Sequence, residues 1–381
     1  MVKRVPIGEY CEKKISTLQS CYDGLIDYVD ISSVDNEKKK IVAFQTIESQ
    51  DAPSRAKQLL KTGDILVSTV RPNLNAVAVV ENETENLMVA STGYCVLRCD
   101  DNIDVRYLFN FCQSPYFVED MTSQATGASY PAVSTAIVRN SLIPDHSIDE
   151  QHEIATRMDT VSNLISLRKQ QLSKLDELVK SRFIEMFGDL ERTTTIGRYI
   201  SELRGGKSLA GIEPCKNKVL KTGAATFGWF DPEQYKYLPT AYEPLPEHKV
   251  ETGDVIISRM NTPELVGACS YVFDAPEDMY YPDRLWKAVL KENTNPIFLW
   301  QLLWDRDIRK AIKESSGGTS GTMHNISKAN LLAIKCMDAP IELQNEYAEF
   351  VKQTDKSKSA IQASLDKLEL LKKSLMQQYF G

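Results

Sequence analysis

Two short polar segments in this chain carry side chains that suit hydrogen bonding to nucleobase edges. Each segment follows an apolar, valine- or isoleucine-rich run that opens with Gly-Asp. Arginine can pair with two acceptors on guanine, and asparagine with a donor and an acceptor on adenine. The residues concerned are Arg71, Asn73 and Asn75 in the first half of the chain, and Arg259 and Asn261 in the second.

Basic and hydroxyl side chains elsewhere suit contact with phosphates or bases. Lysine, arginine and hydroxyl groups bind phosphate oxygens, and glycine lets the main chain approach them. The segment TGASY (126–130) combines glycine with hydroxyls, although a plain turn is an open alternative. The further candidates are Lys38, Lys39, Lys40, Arg55, Lys57, Ser129 and Tyr130 in the first half, and Lys207, Lys221, Asp283, Arg284, Thr319, Ser320, Thr322 and His324 in the second.

Several candidates have an equally simple structural interpretation. The lysine run 38–40 could be a solvated surface, and Arg55 and Lys57 suit an internal salt bridge as well as a ligand contact. Trp286, Trp300 and Trp304 are expected in the core rather than at a binding surface.

The charge of the chain does not favour nucleic acid as a partner. The net charge is −7, from 45 Lys and Arg against 52 Asp and Glu. Residues 1–147 carry 14 basic and 19 acidic side chains, and residues 189–340 carry 19 and 20. Any contact with DNA must therefore depend on local clusters or on a partner that supplies positive charge.

An internal repeat organises the elements that must position these residues. Residues 148–188 and 341–381 align without a gap, with 13 identities in 41 positions, ending in Phe187-Gly188 and Phe380-Gly381. Both segments are rich in helix formers, and their apolar residues recur at alternating spacings of four and three. The spacing predicts two helices that are each roughly 60 Å long and pack on each other as a coiled coil.

The contact surface of this helix pair can be read from the heptads. Two unrelated surface helices are the alternative, but such helices have no reason to agree at their ends. The predicted interface consists of Ile154, Met158, Val161, Ile165, Leu172, Leu175 and Val179 in the first helix and Val351, Ile361, Leu365, Leu368 and Leu375 in the second.

The segments before the two helices also repeat. TGDILVSTVRP (62–72) is echoed by TGDVIISRMNTP (252–263), and TSQATGASYPAVS (122–134) by ESSGGTSGTMHNIS (314–327). Short valine-rich runs between Gly, Asp and Pro predict strands, and 107–121 and 296–312 are expected to be helices. The expected fold is α+β: two similar mixed domains (1–147 and 189–340) joined by two long antiparallel helices (148–188 and 341–381), with pseudo-two-fold symmetry.

At this point the chain resembles the specificity subunit of type I restriction–modification systems. The residues that carry the resemblance are APSRAK (52–57), TGDILVSTVRPNL (62–74), STGYCVLR (91–98), ATGASYPAVS (125–134) and DEQHEIATRMDTV…RKQQLSKLDELVKSRFIEMFGD (149–189). The second half follows the same layout more loosely. The resemblance implies two target recognition domains that each read one half of a bipartite DNA sequence.

The resemblance also implies partners. The helices would dock modification subunits, which carry S-adenosylmethionine and methylate adenine, and an ATP-dependent restriction subunit joins the complete system. This chain would be non-catalytic and hold no cofactor of its own. Its residues agree: Asn295-Pro296-Ile297-Phe298 lacks the second proline of an adenine methyltransferase loop, and there is no Walker A lysine loop.

Two further expectations concern location and metal binding. No run of 18 apolar residues or secretion signal occurs, which predicts a cytoplasmic protein without a membrane partner. The eight cysteines form no CxxC pair, which predicts free thiols and no metal site. Two competing hypotheses are a coiled-coil scaffold for protein interactions that reads no DNA sequence, and a stand-alone enzyme, such as a nuclease, with an unrecognised site.

Overall fold

A computed structural model describes residues 2–320 and 323–381, with only the main chain described at 319 and 320. The chain divides into two compact units. The first unit is Met1–Gln170 with Gln362–Gly381, and the second unit is Gln171–Ile361. Each unit thus contains about half of each long helix. The segments predicted from the sequence kept each helix apart from the domains.

The first unit contains four short sheets, one of which is the hairpin β3–β4. A four-stranded sheet has the order β5-β2-β9-β6, a three-stranded sheet the order β10-β7-β8, and β1 pairs with β11. The strands are β1 (Arg4–Pro6), β2 (Leu25–Val29), β3 (Val34–Asp35), β4 (Lys40–Ile41), β5 (Gln45–Glu48), β6 (Ala56–Leu59), β7 (Ile65–Ser68), β8 (Val77–Val79), β9 (Leu87–Ser91), β10 (Tyr94–Leu97) and β11 (Leu142–Pro144). β2 runs parallel to β9 and antiparallel to β5, and the small hairpin β3–β4 lies between β2 and β5 in the chain.

The second unit repeats this arrangement with some changes. Its sheets have the orders β13-β20-β16-β18, β15-β14-β19, β17-β22-β21 and β12-β23. The strands are β12 (Thr194–Thr195), β13 (Ile200–Gly205), β14 (Lys218–Leu220), β15 (Tyr235–Tyr237), β16 (Val255–Ser258), β17 (Met260–Asn261), β18 (Cys269–Tyr271), β19 (Met279–Tyr280), β20 (Leu285–Leu290), β21 (Gly317–Ser320), β22 (Met323–Asn325) and β23 (Lys335–Cys336). β14 is parallel to β19 and antiparallel to β15, as β2 is to β9 and β5.

The Gly-Asp turns that open β7 and β16 have the same construction. Gly63 and Gly253 have φ values of 90° and 96°, where a side chain would strain the backbone. The Asp64 carboxylate accepts the Lys61 N–H at 2.8 Å, and that of Asp254 accepts the Glu251 N–H at 2.9 Å. Each turn therefore leads into a fully buried strand, β7 or β16, with the same local geometry.

Eight α-helices complete the two units as described. They are α1 (Val105–Phe111), α2 (Pro115–Gln124), α3 (Thr135–Asn140), α4 (Ile148–Phe187), α5 (Pro296–Trp304), α6 (Arg306–Ser315), α7 (Lys328–Ala333) and α8 (Ile341–Phe380). The sequence predicted single helices over 107–121 and 296–312, which is wrong, because each is two helices. New N-caps end the first helix of each pair: Ser114 ahead of Pro115, and Asp305.

In the first unit, the start of α4 lies antiparallel to the end of α8. Arg157 donates to the Tyr379 hydroxyl at 3.1 Å, and Lys169 forms a 3.1 Å salt bridge with Glu369. Phe380 is fully buried, 5.4 Å from Tyr107 and 5.8 Å from Phe111 between ring centroids. The last turn of the C-terminal helix therefore fills the core formed by α1.

In the second unit, the end of α4 lies antiparallel to the start of α8. Arg182 pairs with Glu346 at 3.2 Å, and the Tyr347 hydroxyl donates to the Val179 carbonyl at 3.2 Å. Phe187 is fully buried, 4.9 Å from Phe298 between ring centroids. The repeated terminal phenylalanine thus fills the equivalent place in each core.

A repeated glutamine fixes each helix pair to its unit. The Gln151 side chain accepts the Asp104 N–H at 2.9 Å and donates to the His146 carbonyl at 2.9 Å. The Gln344 side chain accepts the Asn295 N–H at 2.9 Å and donates to the Ala339 carbonyl at 2.7 Å. Both glutamines are buried, and these bonds satisfy the polar atoms of their side chains.

The predicted interface residues all lose exposure, to different degrees. Ile154, Met158, Val161, Val179, Val351 and Leu365 are buried, and Ile165, Leu172, Leu175, Ile361, Leu368 and Leu375 are half-buried. Several of them face a sheet-and-helix core rather than the other long helix alone, as Met158 and Val351 do. The heptads had not shown this second role.

The predicted core tryptophans differ in burial. Trp286 is buried, whereas Trp300 and Trp304 are half-buried against the core of the second unit. All eight cysteines lie in the described residues and are free. In the described ranges, no cluster of three His, Cys, Asp or Glu residues could hold a metal ion. A search of the same ranges finds no helix with the length and apolarity needed to cross a membrane.

Candidate nucleic-acid interface

In the first unit, the loop 126–132 is hydrogen-bonded to the end of β7. Val70 and Ala132 form an antiparallel bridge, and the Arg71 N–H donates to the Pro131 carbonyl at 2.7 Å. Thr126 and Ala132 close the loop with two main-chain bonds of 3.0 and 2.9 Å. The two predicted segments around Arg71 and Tyr130 therefore form one surface.

The loop needs its glycine. Gly127 has φ of 105°, and an added Cβ would lie 2.9 Å from the Tyr130 carbonyl oxygen. A side chain here would thus be strained both by conformation and by close contact. The glycine serves the tight closure of the loop, and the Ser129 and Tyr130 side chains point to solvent.

Arg71 and Tyr130 contact each other. The Arg71 guanidinium lies 4.8 Å from the centre of the Tyr130 ring, and the Tyr130 side chain is 69% exposed. Arg71 has φ of 49°, a left-handed conformation that costs a non-glycine residue on the order of 1–3 kcal/mol. Such strain persists where surrounding contacts fix it, here the bond to Pro131. Asn73 is exposed beside this pair.

Asn75, in contrast, serves the interior of the unit. Its side chain donates to the Cys112 carbonyl at 2.8 Å and accepts from the Lys39 ammonium at 2.8 Å. Burial, with the nearby Lys372 ammonium, lowers the pKa of Lys39 to about 8. Both side chains therefore already have partners within the unit, which leaves them poorly placed for a base or a phosphate.

The remaining basic candidates of the first unit mostly pair with carboxylates. Lys38 lies 3.4 Å from Asp35, and Lys40 lies 3.3 Å from Glu81. Arg55 forms a 2.8 Å salt bridge with Asp30 and donates to the Tyr28 hydroxyl at 3.1 Å. These pairs are at the surface, where each contributes little and phosphate can compete for the cation. Lys57 is exposed.

In the second unit, a pair of strands takes the place of the loop. β17 pairs with β22, with Met260 opposite Asn325 and Asn261 opposite His324. The Arg259 guanidinium donates to the Asn325 side chain at 3.2 Å and lies 5.9 Å from the centre of the Trp286 ring. The arginine after the Gly-Asp strand is thus held by the glycine-rich segment in both units.

Asn261 and His324 each have an additional partner. The Asn261 amide lies 3.5 Å from the Thr226 hydroxyl, and its carbonyl oxygen accepts the Thr262 N–H at 2.9 Å. The His324 ring lies 3.0 Å from the Ser316 hydroxyl. Both side chains remain half-exposed. Of the neighbouring predictions, the Thr319 and Ser320 side chains and all of Thr322 lie outside the described residues.

The other candidates of the second unit are at the surface. The Asp283 carboxylate accepts a hydrogen bond from the Ser208 hydroxyl, and the Arg284 carbonyl accepts the Arg259 N–H at 2.9 Å. Arg284 is therefore adjacent to Arg259 along the strand edge. The Lys207 ammonium lies 6.0 Å from the centre of the Tyr242 ring, and Lys221 is exposed.

The sequence missed one exposed feature, the segment TFGWF (226–230). It contains no charged side chain, so a search for basic clusters passes over it. Two aromatic residues beside a glycine, between Thr and Asp-Pro, could have indicated a turn that displays rings.

Comparison with known proteins first defines the class. A sequence profile described as a type I restriction modification DNA specificity domain matches residues 2–177. The matched residues include the first unit's Arg71 and the loop 126–132, and they make up a little under half of the chain. The resemblance predicted from the sequence is confirmed.

Individual relatives extend over more of the chain. The specificity subunit of the type I restriction enzyme EcoKI from Escherichia coli (strain K12) is 20% identical over 366 residues, covering 90% of this chain and 78% of the relative. The specificity subunit of the enzyme MjaVIII from Methanocaldococcus jannaschii is 25% identical over 279 residues, covering 67% of this chain and 65% of the relative.

Solved structures show the same fold. A chain from a structure of a type I restriction–modification system has a TM-score of 0.61 at 21% identity, covering 99% of this chain and 97% of that one. The S subunit of such a system from M. genitalium has a TM-score of 0.60 at 14% identity, covering 100% and 96%. The predicted fold class, with mixed helix and sheet and two long helices packing together, is confirmed.

Proposed function

We propose that this chain is the DNA-reading, non-catalytic subunit of a type I restriction–modification enzyme. Each unit reads one half of a bipartite duplex target, and modification subunits that carry S-adenosylmethionine transfer the methyl group. An ATP-dependent restriction subunit joins the same assembly. The family of residues 2–177 and the names of the relatives support this proposal.

One observation carries the proposal of two readers. In each unit an arginine follows the buried Gly-Asp strand and is held by a glycine-rich segment, through Tyr130 for Arg71 and through Asn325 for Arg259. A guanidinium that is fixed at the protein surface can pair with guanine at little further entropic cost. We infer that Arg71 and Arg259 are the corresponding base-reading residues of the two units.

We also infer that the long helices hold the two readers at a set separation and dock the modification subunits. A 40-residue helix is about 60 Å long, which is less than two turns of duplex DNA at roughly 34 Å each. The target would then consist of two specified half-sites and an unspecified gap. The domain boundaries predicted from the sequence belong to this proposal.

The test is methylation mapping with the chain and its modification subunits expressed together. We expect methylated adenines within one split motif whose gap has a fixed length. A contiguous motif, or methylation without any motif, would contradict the proposal. Preparations without this chain are the control and should give no methylation at the motif. A chain that served only as a protein scaffold would leave the motif unchanged on mutation of both arginines.

A further inference from the structure

The segment 207–242 of the second unit has a composition unlike the rest of the chain. It holds five lysines and three carboxylates, so its balance is positive in a chain of net charge −7. Six of its residues are aromatic: Phe227, Trp229, Phe230, Tyr235, Tyr237 and Tyr242. Lysines interleaved with aromatic rings suit a nucleic-acid surface, because phosphates and bases are bound by different side chains.

Within this segment, the turn 224–231 is closed by its own hydrogen bonds. The Asp231 N–H donates to the Ala224 carbonyl at 3.0 Å, and the Thr226 hydroxyl donates to the Thr222 carbonyl at 2.9 Å. Ala224, Ala225 and Thr226 are buried, and Phe230 packs on the core. Both ends of the turn are thus fixed to the second unit.

The middle of the turn displays two aromatic rings to solvent. Phe227 is 62% exposed and Trp229 is 61% exposed, and their rings stack with centroids 5.7 Å apart. Gly228 between them has φ of 87° and lies against Trp304, which leaves both neighbours on the outside. Single exposed apolar residues are ordinary, but a stacked pair on an anchored turn indicates a binding surface.

The turn is next to the proposed base-reading residues. The Asn261 amide lies 3.5 Å from the Thr226 hydroxyl, so Phe227 follows directly on a residue that contacts the reading surface. In the first unit, the matching segment between β2 and β5 is the hairpin that carries Lys38 and Lys40. The hairpin follows β2, which is parallel to β9, and the turn follows β14, which is parallel to β19. The two segments therefore occupy equivalent places.

We propose that Phe227 and Trp229 form an aromatic wedge that contacts the bases of the half-site read by the second unit. Apolar and aromatic side chains can enter between base steps or stack on exposed bases, whereas the surrounding lysines bind phosphates. The positive balance of 207–242 suits a negatively charged partner, and the exposed stacked rings favour one that offers bases, which is DNA. This inference deepens the proposed function and depends on it.

The first test measures DNA affinity of the complex of this chain with its modification subunits. We expect Trp229→Ala and Phe227→Ala each to weaken binding to the target by roughly 5-fold or more, since base stacking on one aromatic ring contributes about that much. The matched control is Ile212→Ala, which removes a side chain that is 99% exposed in the same segment. It should leave the affinity unchanged.

The second test uses tryptophan fluorescence. Trp229 is the most exposed of the four tryptophans, because Trp286 is buried and the other two are half-buried. Binding of target DNA should quench an emission that is absent in Trp229→Phe and retained in Trp304→Phe. Quenching of equal size in both variants would contradict contact at Trp229.

The outcomes separate this inference from the proposed function. If both alanine variants retain full affinity and methylate the same split motif, the wedge is wrong and the proposed function stands. If they lose assembly with the modification subunits, as seen by size-exclusion chromatography, the rings bind protein and the wedge is also wrong. If the wild-type complex methylates no split motif, the proposed function itself fails.

Discussion

The two units carry different side chains at equivalent places in their folds. After the parallel strand β2, the first unit has a hairpin with three lysines, whereas after β14 the second unit has a turn with two exposed aromatic rings. The strand order around both segments is alike, as is the Gly-Asp turn before the reading arginine. Under the proposed function, a retained frame with divergent surface segments would let each unit bind a different half-site.

The two units also share the residues that hold the long helices. Gln151 and Gln344 make matching pairs of hydrogen bonds, and Phe187 and Phe380 fill matching core positions. Identical residues of the repeat therefore occupy equivalent positions where the helix ends enter the cores. The need to anchor a helix end in each core explains why the middle and the end of the chain carry the same residues.

The largest expected effect comes from the buried phenylalanines. Phe380→Ala should destabilise the first unit, and Phe187→Ala the second, by about 3–5 kcal/mol, because each leaves a cavity among aromatic rings. Hydrogen exchange followed by mass spectrometry reports on each unit separately. Equal loss of protection in both units from either variant would contradict the assignment of one phenylalanine to each core. Phe44→Ala, at a more exposed ring, is the control.

The next effect concerns the paired glutamines. Gln151→Leu should cost roughly 1–3 kcal/mol in the first unit, because the Asp104 N–H and the His146 carbonyl lose their hydrogen-bond partner. Gln344→Leu should cost a similar amount in the second unit. Chemical denaturation of the two variants beside Gln170→Leu, at an exposed site on α4, measures the difference. If Gln170→Leu is as damaging as Gln151→Leu, the hydrogen bonds do not explain the repeat.

The smallest effect distinguishes Lys39 from its neighbours in the lysine run. Its folded-state pKa of about 8 lies below the ordinary value of 10.5, so the unfolded chain binds more protons between these pH values. The Lys39 contribution to the free energy of unfolding should therefore rise with pH across this window. We expect this rise in the difference between wild type and Lys39→Met, because the subtraction cancels the contributions of all other titrating groups. Equal pH dependence of wild type and Lys39→Met across this window would contradict the prediction.

The frame was largely predictable from the sequence, and the reading surface only in part. The fixed offset between identical residues such as Gln151 and Gln344 shows that the two segments repeat. Their heptad spacing predicts the helix pair, since periodic burial depends on the local pattern. The sequence indicates Arg71 and Tyr130 as separate candidates but does not predict that they are in contact. Their contact depends on the bridge between Val70 and Ala132, which are 62 positions apart. Residue type alone does not predict such a long-range bridge.

Two other residues show where residue type misleads. Lys39 was predicted to bind phosphate as part of a basic run, but its ammonium donates to Asn75 within the unit. The sequence does not indicate Phe227 as a surface residue, because an aromatic residue is most often buried. Only the fold shows that its ring is exposed. Charge and hydrophobicity alone do not determine which way a loop side chain points.

The most direct test of two independent readers is methylation mapping of the complexes formed by Arg71→Ala and by Arg259→Ala. The account predicts that each variant relaxes the sequence requirement in one half of the split motif and leaves the other half and the gap length unchanged. Relaxation of the same half by both variants, or of neither half, would contradict it.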